Sequence, residues 1–309
     1  MSRTVRRIAG VLVAIGAVVT LVAIGVHSLM AKIQLPSAQT SRCELVGSPY
    51  ALSTEQAANA ATIAAVATTR RLPPRAATVA LATALQESKL VNVEYGDRDS
   101  VGLFQQRPSQ GWGAPSQILD PRYSAGRFFD ALVKVPGWER KRITDAAQAV
   151  QQSAHPDAYQ RWEDQALVLT KAFLGAEPAL VSCAFPEPEV AATPAKVLQL
   201  LGRELPGTPL GVSGRAGEVR PRVPWATVGW LVAHADRLGI DAVQHDGRRW
   251  TREDGWRVEQ AAAADRVRFE VAAIPADAAE PALSGVSAGR PAAPSPRQPG
   301  VEHGRDDVP

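Results

Sequence analysis

Nineteen consecutive uncharged residues, Ile8 to Val26, stand directly behind Arg3, Arg6 and Arg7. A helix of that length spans roughly 28 Å, about the hydrocarbon thickness of a bilayer. The positive-inside rule keeps the arginines cytoplasmic and sends the following chain out. The expectation is a single-pass cell-membrane anchor over residues 1–36, crossing through Ile8–Val26, with the later segments extracellular. A cleaved, secreted form is the alternative. Signal peptides, however, use apolar runs of ~7–15 residues and a small-x-small site. Here the candidate sites near Ala31 and Ala38 have Leu29 or Pro36 at the −3 position.

Charge then falls into place. The chain of 309 residues carries a net +3 and a pI near 9.0, yet residues 1–36 hold four basic residues and no acid. The remainder is left with one net negative charge, so basicity here is a targeting feature and a nucleic-acid partner is not expected. Cys43 and Cys183 are the two cysteines. In an exported chain they are expected to pair, tying the start of one domain to its end. Neither has a second Cys or His nearby, and His234 and His245 lack a ligand triplet, so neither a metal nor a cofactor is implied. GxGxxG, P-loop and EF-hand patterns are absent from the sequence.

Residues 43–183 read as helical. Ser53-Thr-Glu-Gln56 is a capping box opening a helix to about Thr69. Pro73-Pro74 opens another to about Leu90. Asp120-Pro121 starts a third, Thr144 a fourth, and Pro156 a last one ending at Gly175. Val91–Trp112, dense in Gly, Asp, Ser and Pro, reads as a structured loop. Residues 184–195 form a proline-punctuated linker. A small α+β unit over 196–273 follows, with helices from Pro194 to Leu205 and Pro224 to Leu238. Its strands are Ile240–His245, Arg248–Arg252 and Arg266–Ala273, the first two joined at Asp246-Gly247. Residues 274–309 lack periodicity and read as a disordered tail. The expected fold class is a mainly α domain behind a transmembrane helix, plus the small α+β domain.

The chemistry concentrates in ALATALQESKLVNVEYGDRDSVGLFQQRPSQGWG, residues 80–113. Glu87 ends a helical stripe shared with Ala80, Thr83 and Ala84. A carboxylate on a face of small residues is partly desolvated, an environment in which it can serve as a general acid. Gly102-Leu-Phe-Gln105 follows. Gln105, Gln106, Tyr95 and Trp112 supply amides and aromatic faces suited to sugar rings. Asp97 and Asp99 lie between, and Asp97 is a possible second carboxylate. An inverting glycosidase needs such a base ~6.5–9.5 Å from its acid, although loop aspartates more often cap turns.

Glu87-Ser88 followed by Gly102-Leu-Phe-Gln105 resembles the ES…GLMQ signature of the lysozyme-like superfamily. Within it, residues 43–175 resemble the soluble lytic transglycosylase and goose-type lysozyme-like domains of actinobacterial cell-wall proteins. The resemblance implies that Glu87 is the catalytic acid/base, that Gln105 and the backbone around Gly102 line a saccharide groove, and that the partner is a peptidoglycan glycan strand. The implied activity is cleavage of the MurNAc–GlcNAc β-1,4 bond, by water as in a lysozyme or by the sugar's own 6-hydroxyl as in a lytic transglycosylase. These enzymes usually carry Ala-Tyr-Asn late in the domain, and the nearest match is Ala158-Tyr159-Gln160. Tyr159 as a substrate-site residue and Tyr159 as an ordinary core tyrosine are equally open at this point. A different class also fits, a non-catalytic peptidoglycan-binding scaffold that keeps the groove.

Overall fold

The computed structural model describes residues 41–273. Strand β1 (Arg42–Leu45) pairs antiparallel with β2 (Ala51–Leu52) on one side and β3 (Val181–Ala184) on the other, placing Cys43 opposite Cys183. These cysteines are disulfide-bonded across a separation of 140 residues. By loop-closure entropy such a bridge contributes about 5 kcal/mol.

Between the bridged strands lie six helices. Helix α1 (Thr54–Thr69) starts at the expected capping box, with Ser53 Oγ accepting from Gln56 N and Gln56 Oε1 accepting from Ser53 N. Its alanines and Ile63 are buried on nearly every side, which makes it a central helix rather than a surface one. Helix α2 (Pro74–Ser88) begins with proline at its first turn and is buried without a break from Ala76 to Leu85. A short α3 (Pro115–Ile118), then α4 (Pro121–Leu132), α5 (Ile143–Gln151) and α6 (Glu163–Leu174) complete the set. The helix expected from Pro156 begins instead at Glu163. Residues 156–159 form turns, followed by a 3₁₀ segment, Gln160–Trp162.

Beyond β3 the chain adds α7 (Pro194–Glu204), β4 (Gly207–Ser213), β5 (Ala216–Pro221), α8 (Pro224–Ala233), α9 (Ala235–Leu238), β6 (Ile240–His245), β7 (Arg248–Thr251), β8 (Gly255–Val258) and β9 (Val267–Val271). The strands form one antiparallel sheet in the order β4-β5-β9-β6-β7-β8. The mainly α class is therefore corrected: the protein is mixed, 44% helical and 19% strand, with a large six-stranded sheet. The shortfall has a physical origin. Strand β4 is exposed along its whole length and contains Pro209 and Gly211, so it carries no alternating pattern and owes its form to pairing with β5. The membrane-anchored localisation is corrected as well. Among the described residues no helix is long and apolar enough to cross a membrane, and the segment Ile8–Val26 lies outside them, as does the tail 274–309.

Helix α8 joins the two sets of elements. It is buried from Ala226 to Ala233 and packs on α1, α6 and the sheet, so one hydrophobic cluster runs from Cys43 to Val271. Gly175, at φ +71°, closes α6 where a Cβ would lie 2.4 Å from Ala226 N. Only glycine fits both the left-handed turn and that approach. Trp230 and Trp250 are core residues, and Trp256 donates from its indole to Val181 O at 2.8 Å.

A polar tie crosses the same junction. Glu204 Oε2, at the end of α7, accepts from Trp230 Nε1 at 2.7 Å and from Thr62 Oγ1 of α1 at 2.9 Å. Burial raises its pKa above the ordinary 4.5, outweighing these two hydrogen bonds and the positive charges of Arg237 and Arg122. A raised carboxyl pKa in the fold means that stability is complete while Glu204 is protonated and falls as the pH rises through its folded value. Glu204→Gln keeps an acceptor for Trp230 and Thr62 without the charge. Thermal unfolding should therefore show the variant more stable than wild type at pH 7 and close to it near pH 4. A variant less stable at pH 7 than at pH 4, relative to wild type, would contradict this.

Candidate functional site

Helix α2 delivers Glu87 to the surface one residue before its end. Lys89 takes the left-handed conformation at φ 56°, and its ammonium bonds Leu85 O and Gln86 O at 3.1 and 3.3 Å, closing the helix. Ser88 ties this end to the next loop: its hydroxyl donates to Leu103 O at 2.8 Å. That loop is a tight turn. Val101 and Gln106 exchange backbone hydrogen bonds of 3.0 and 3.1 Å around Gly102–Gln105. Leu103 and Phe104 are fully buried, and Phe104 stacks on Phe128 of α4 with centroids 4.8 Å apart. The apolar half of the Gly-Leu-Phe-Gln segment anchors the turn, and its polar end faces out.

Glu87 is half-buried, and its Oε1 accepts from the hydroxyl of Tyr159 at 2.7 Å. Tyr159 is fully buried. Burial pushes the phenol well above its ordinary value of 10.0, opposed by a hydrogen bond with Ser153 and reinforced by the neighbouring Glu87 carboxylate. The phenol therefore stays a neutral donor. Its position is fixed from α2 itself, because Gln86 Oε1 accepts from Trp162 Nε1 at 2.9 Å and from Arg161 Nη2 at 2.8 Å. Lys89 lies 4.6 Å above the Trp162 ring. Burial and the charge of Arg161 lower the Lys89 pKa, and Glu87 acts in the opposite direction.

Glu87 sits in a cleft of about 470 Å³ with Asp97, Gln105, Gln106 and Trp112, opposite Gln152 and Ser153. Gln106 is only 2% exposed. Its Nε2 donates to Ser124 O at 3.1 Å, and its Oε1 is buried without a partner. Gln105 folds its amide back onto Tyr95 O and Gly102 O, both at 3.3 Å. Gly102 itself sits behind the turn and does not line the cleft. Tyr95 is 78% exposed and also lies outside the lining.

The two loop aspartates part company. Asp99 accepts from Arg107 Nε at 2.8 Å, Ser109 N at 2.7 Å and Ser109 Oγ at 3.0 Å. The bond from Arg107, then those from Ser109, hold its carboxyl far below the usual range, so it caps a turn as an anion. The Asp97 side chain is 90% exposed, and its one ion pair among the described residues is with Arg98 at 3.9 Å. Among the described residues no group of three or more His, Cys, Asp and Glu is placed to hold a metal.

Gln86, Arg161, Trp162 and Ser153 are not singled out by the sequence, and Ser88 only as the second residue of the Glu-Ser motif. Four of them act through contacts made across 15 to 76 residues, which no local pattern announces. Comparison of the chain with protein-family models finds no match, and comparison with curated proteins finds none.

The turn depends on Gly102, at φ +78°, where a Cβ would lie 3.0 Å from Ile118 O and 3.2 Å from Ile118 Cγ2. Gly102→Ala should cost about 1–3 kcal/mol, from left-handed strain and the clash together. The check is the unfolding midpoint in urea at constant slope; an unchanged midpoint would contradict the role given to this glycine.

Proposed function

We propose that the protein cleaves the β-1,4 MurNAc–GlcNAc bond of peptidoglycan glycan strands, with Glu87 as acid and then base. The observation that carries this reading is the 2.7 Å hydrogen bond from buried Tyr159 to Glu87 in a polar cleft. The Glu-Ser…Gly-Leu-Phe-Gln resemblance supplies the substrate class.

Glu87, in its protonated form, gives its proton to the glycosidic oxygen, and the C1–O bond breaks with positive charge developing at C1. The remaining carboxylate keeps the Tyr159 hydroxyl on Oε1. That bond occupies one carboxylate oxygen and leaves the other for the sugar. The 6-hydroxyl of the muramic acid then attacks C1 and loses its proton to Glu87, which restores the acid and closes a 1,6-anhydro ring. This route is favoured over attack by water because an inverting hydrolysis needs a second, positioned carboxylate. Asp99 is committed to Arg107 and Ser109, and the Asp97 side chain, 90% exposed, is held by no hydrogen bond among the described residues. Trp112, partly buried in the cleft wall, offers an apolar face for a sugar ring.

Glu87→Gln should lower release of soluble fragments from purified sacculi by about 10²–10⁴-fold, the usual share of a general acid. Tyr159→Phe removes one hydrogen bond to a charged group, worth about 1.5–3 kcal/mol, and should lower the rate by about 10–100-fold with KM little changed. Release at the wild-type rate by Glu87→Gln would exclude this chemistry. Wild-type protein that sediments with sacculi but releases nothing would leave the binding scaffold as the function.

A further inference from the structure

The Glu87 cleft does not end at Trp112. A larger depression of about 830 Å³ adjoins it, and the two share Gln110, Trp112, Gln151 and Gln152 as lining. They form one trough, walled by the end of α5 and by the loop around Gly111. The floor of the far end is α4 and the turn that follows it: Arg127 and Asp130 lie three residues apart on the helix, and Lys134 stands in the turn just after its end. Asp130 is already answered, since its Oδ1 accepts from Arg70 Nη1 at 2.6 Å. The two cations are not answered. Arg127 Nη2 donates to Gly111 O at 3.2 Å, and its Nε is buried with no partner. Among the described residues no carboxylate pairs with Arg127 or with the exposed Lys134. A half-buried guanidinium beside an exposed lysine, in a depression whose one carboxylate, Asp130, is already paired with Arg70, is a receptor for an oxyanion.

We propose that this far end binds an anionic substituent carried by the glycan strand, so that the protein selects strands bearing carboxylate or phosphate groups over bare ones. The inference rests on reading the Glu87 cleft as a glycan site. The chain would lie along the trough with one sugar against Trp112 and its substituent reaching Arg127 and Lys134. Two sources share this chemistry: the carboxylates of peptide stems on muramic acid, and phosphodiester-linked groups on the same sugars.

Affinity tests the proposal separately from cleavage. Calorimetry with the Glu87→Gln protein would compare soluble glycan fragments that keep their peptide stems, the same fragments stripped of stems, and fragments carrying phosphodiester groups. At low salt the anionic fragments should bind about tenfold more tightly than the stripped ones, and the ratio should shrink as salt is added. Which anionic arm shows the gain identifies the source. The ratio should fall close to one in Arg127→Gln/Lys134→Gln and in Lys134→Glu, where the second variant changes only an exposed side chain and leaves the Gly111 contact intact. Equal affinity for all three fragments, or a preference that survives Lys134→Glu, would overturn the proposal. Selective binding by a protein whose wild type cuts none of these fragments would remove the catalytic reading and leave this one standing.

Discussion

The hydroxyl of Tyr159 and the carboxylate of Glu87 meet across 72 residues of chain, and the site's other features serve to hold that meeting. Neither group is fixed by its own local structure. Glu87 is next to last in its helix, where ends fray, and Tyr159 sits in a run of turns. The stiffness comes from three fastenings. Lys89 closes the helix, Ser88 pins it to the Gly102 turn, and Gln86 receives both Trp162 and Arg161. With Tyr159 fully buried and its phenol kept neutral, the carboxylate has one oxygen committed to protein and the other available. On the proposed reading, that division gives a single acid a defined direction in which to deliver a proton.

The elements after β3 belong to the same scaffold. Helix α8 lies against α1 and α6, the two helices that pack with α2 behind the site. Gly175 permits that contact, and Glu204 crosses it with bonds to Trp230 and Thr62. The Cys43–Cys183 bridge closes the first set of helices where β1 and β3 pair, and Trp256 reaches over from β8 to Val181 on the same strand. A substitution in the sheet region can therefore reach the Glu87 cleft through packed helices rather than through any ligand contact.

The sequence was legible where the cause was local. The capping box at Ser53, the Asp120 cap, the strand from Ile240 to His245 and its turn at Asp246-Gly247 all follow from residues within a few positions. So does the exit of Glu87 from a face of small residues. What failed to show was non-local. Strand β4 is exposed and glycine-broken, and pairing makes it a strand, so the mixed class could not be read from its pattern. The helix expected from Pro156 is a local inference that tertiary contacts at Gln86 overrule, with 156–159 in turns and 160–162 in a 3₁₀ segment instead. Tyr159 could be listed but not assigned, since its value lies entirely in where the fold carries it. Of the expected groove residues, Gln105, Gln106, Trp112 and Asp97 share the cleft with Glu87, whereas Tyr95 and Gly102 do not line it.

On the proposed reading, a single acid beside a tyrosine, with both loop aspartates otherwise placed, delivers a proton without a positioned base for water. The most direct measurement is mass spectrometry of the muropeptides released from sacculi by the wild-type protein. Fragments ending in 1,6-anhydromuramic acid, lost together with activity in Glu87→Gln, are the expected result. Fragments ending in reducing muramic acid, or release that persists in Glu87→Gln, would contradict the role assigned to the Glu87–Tyr159 pair.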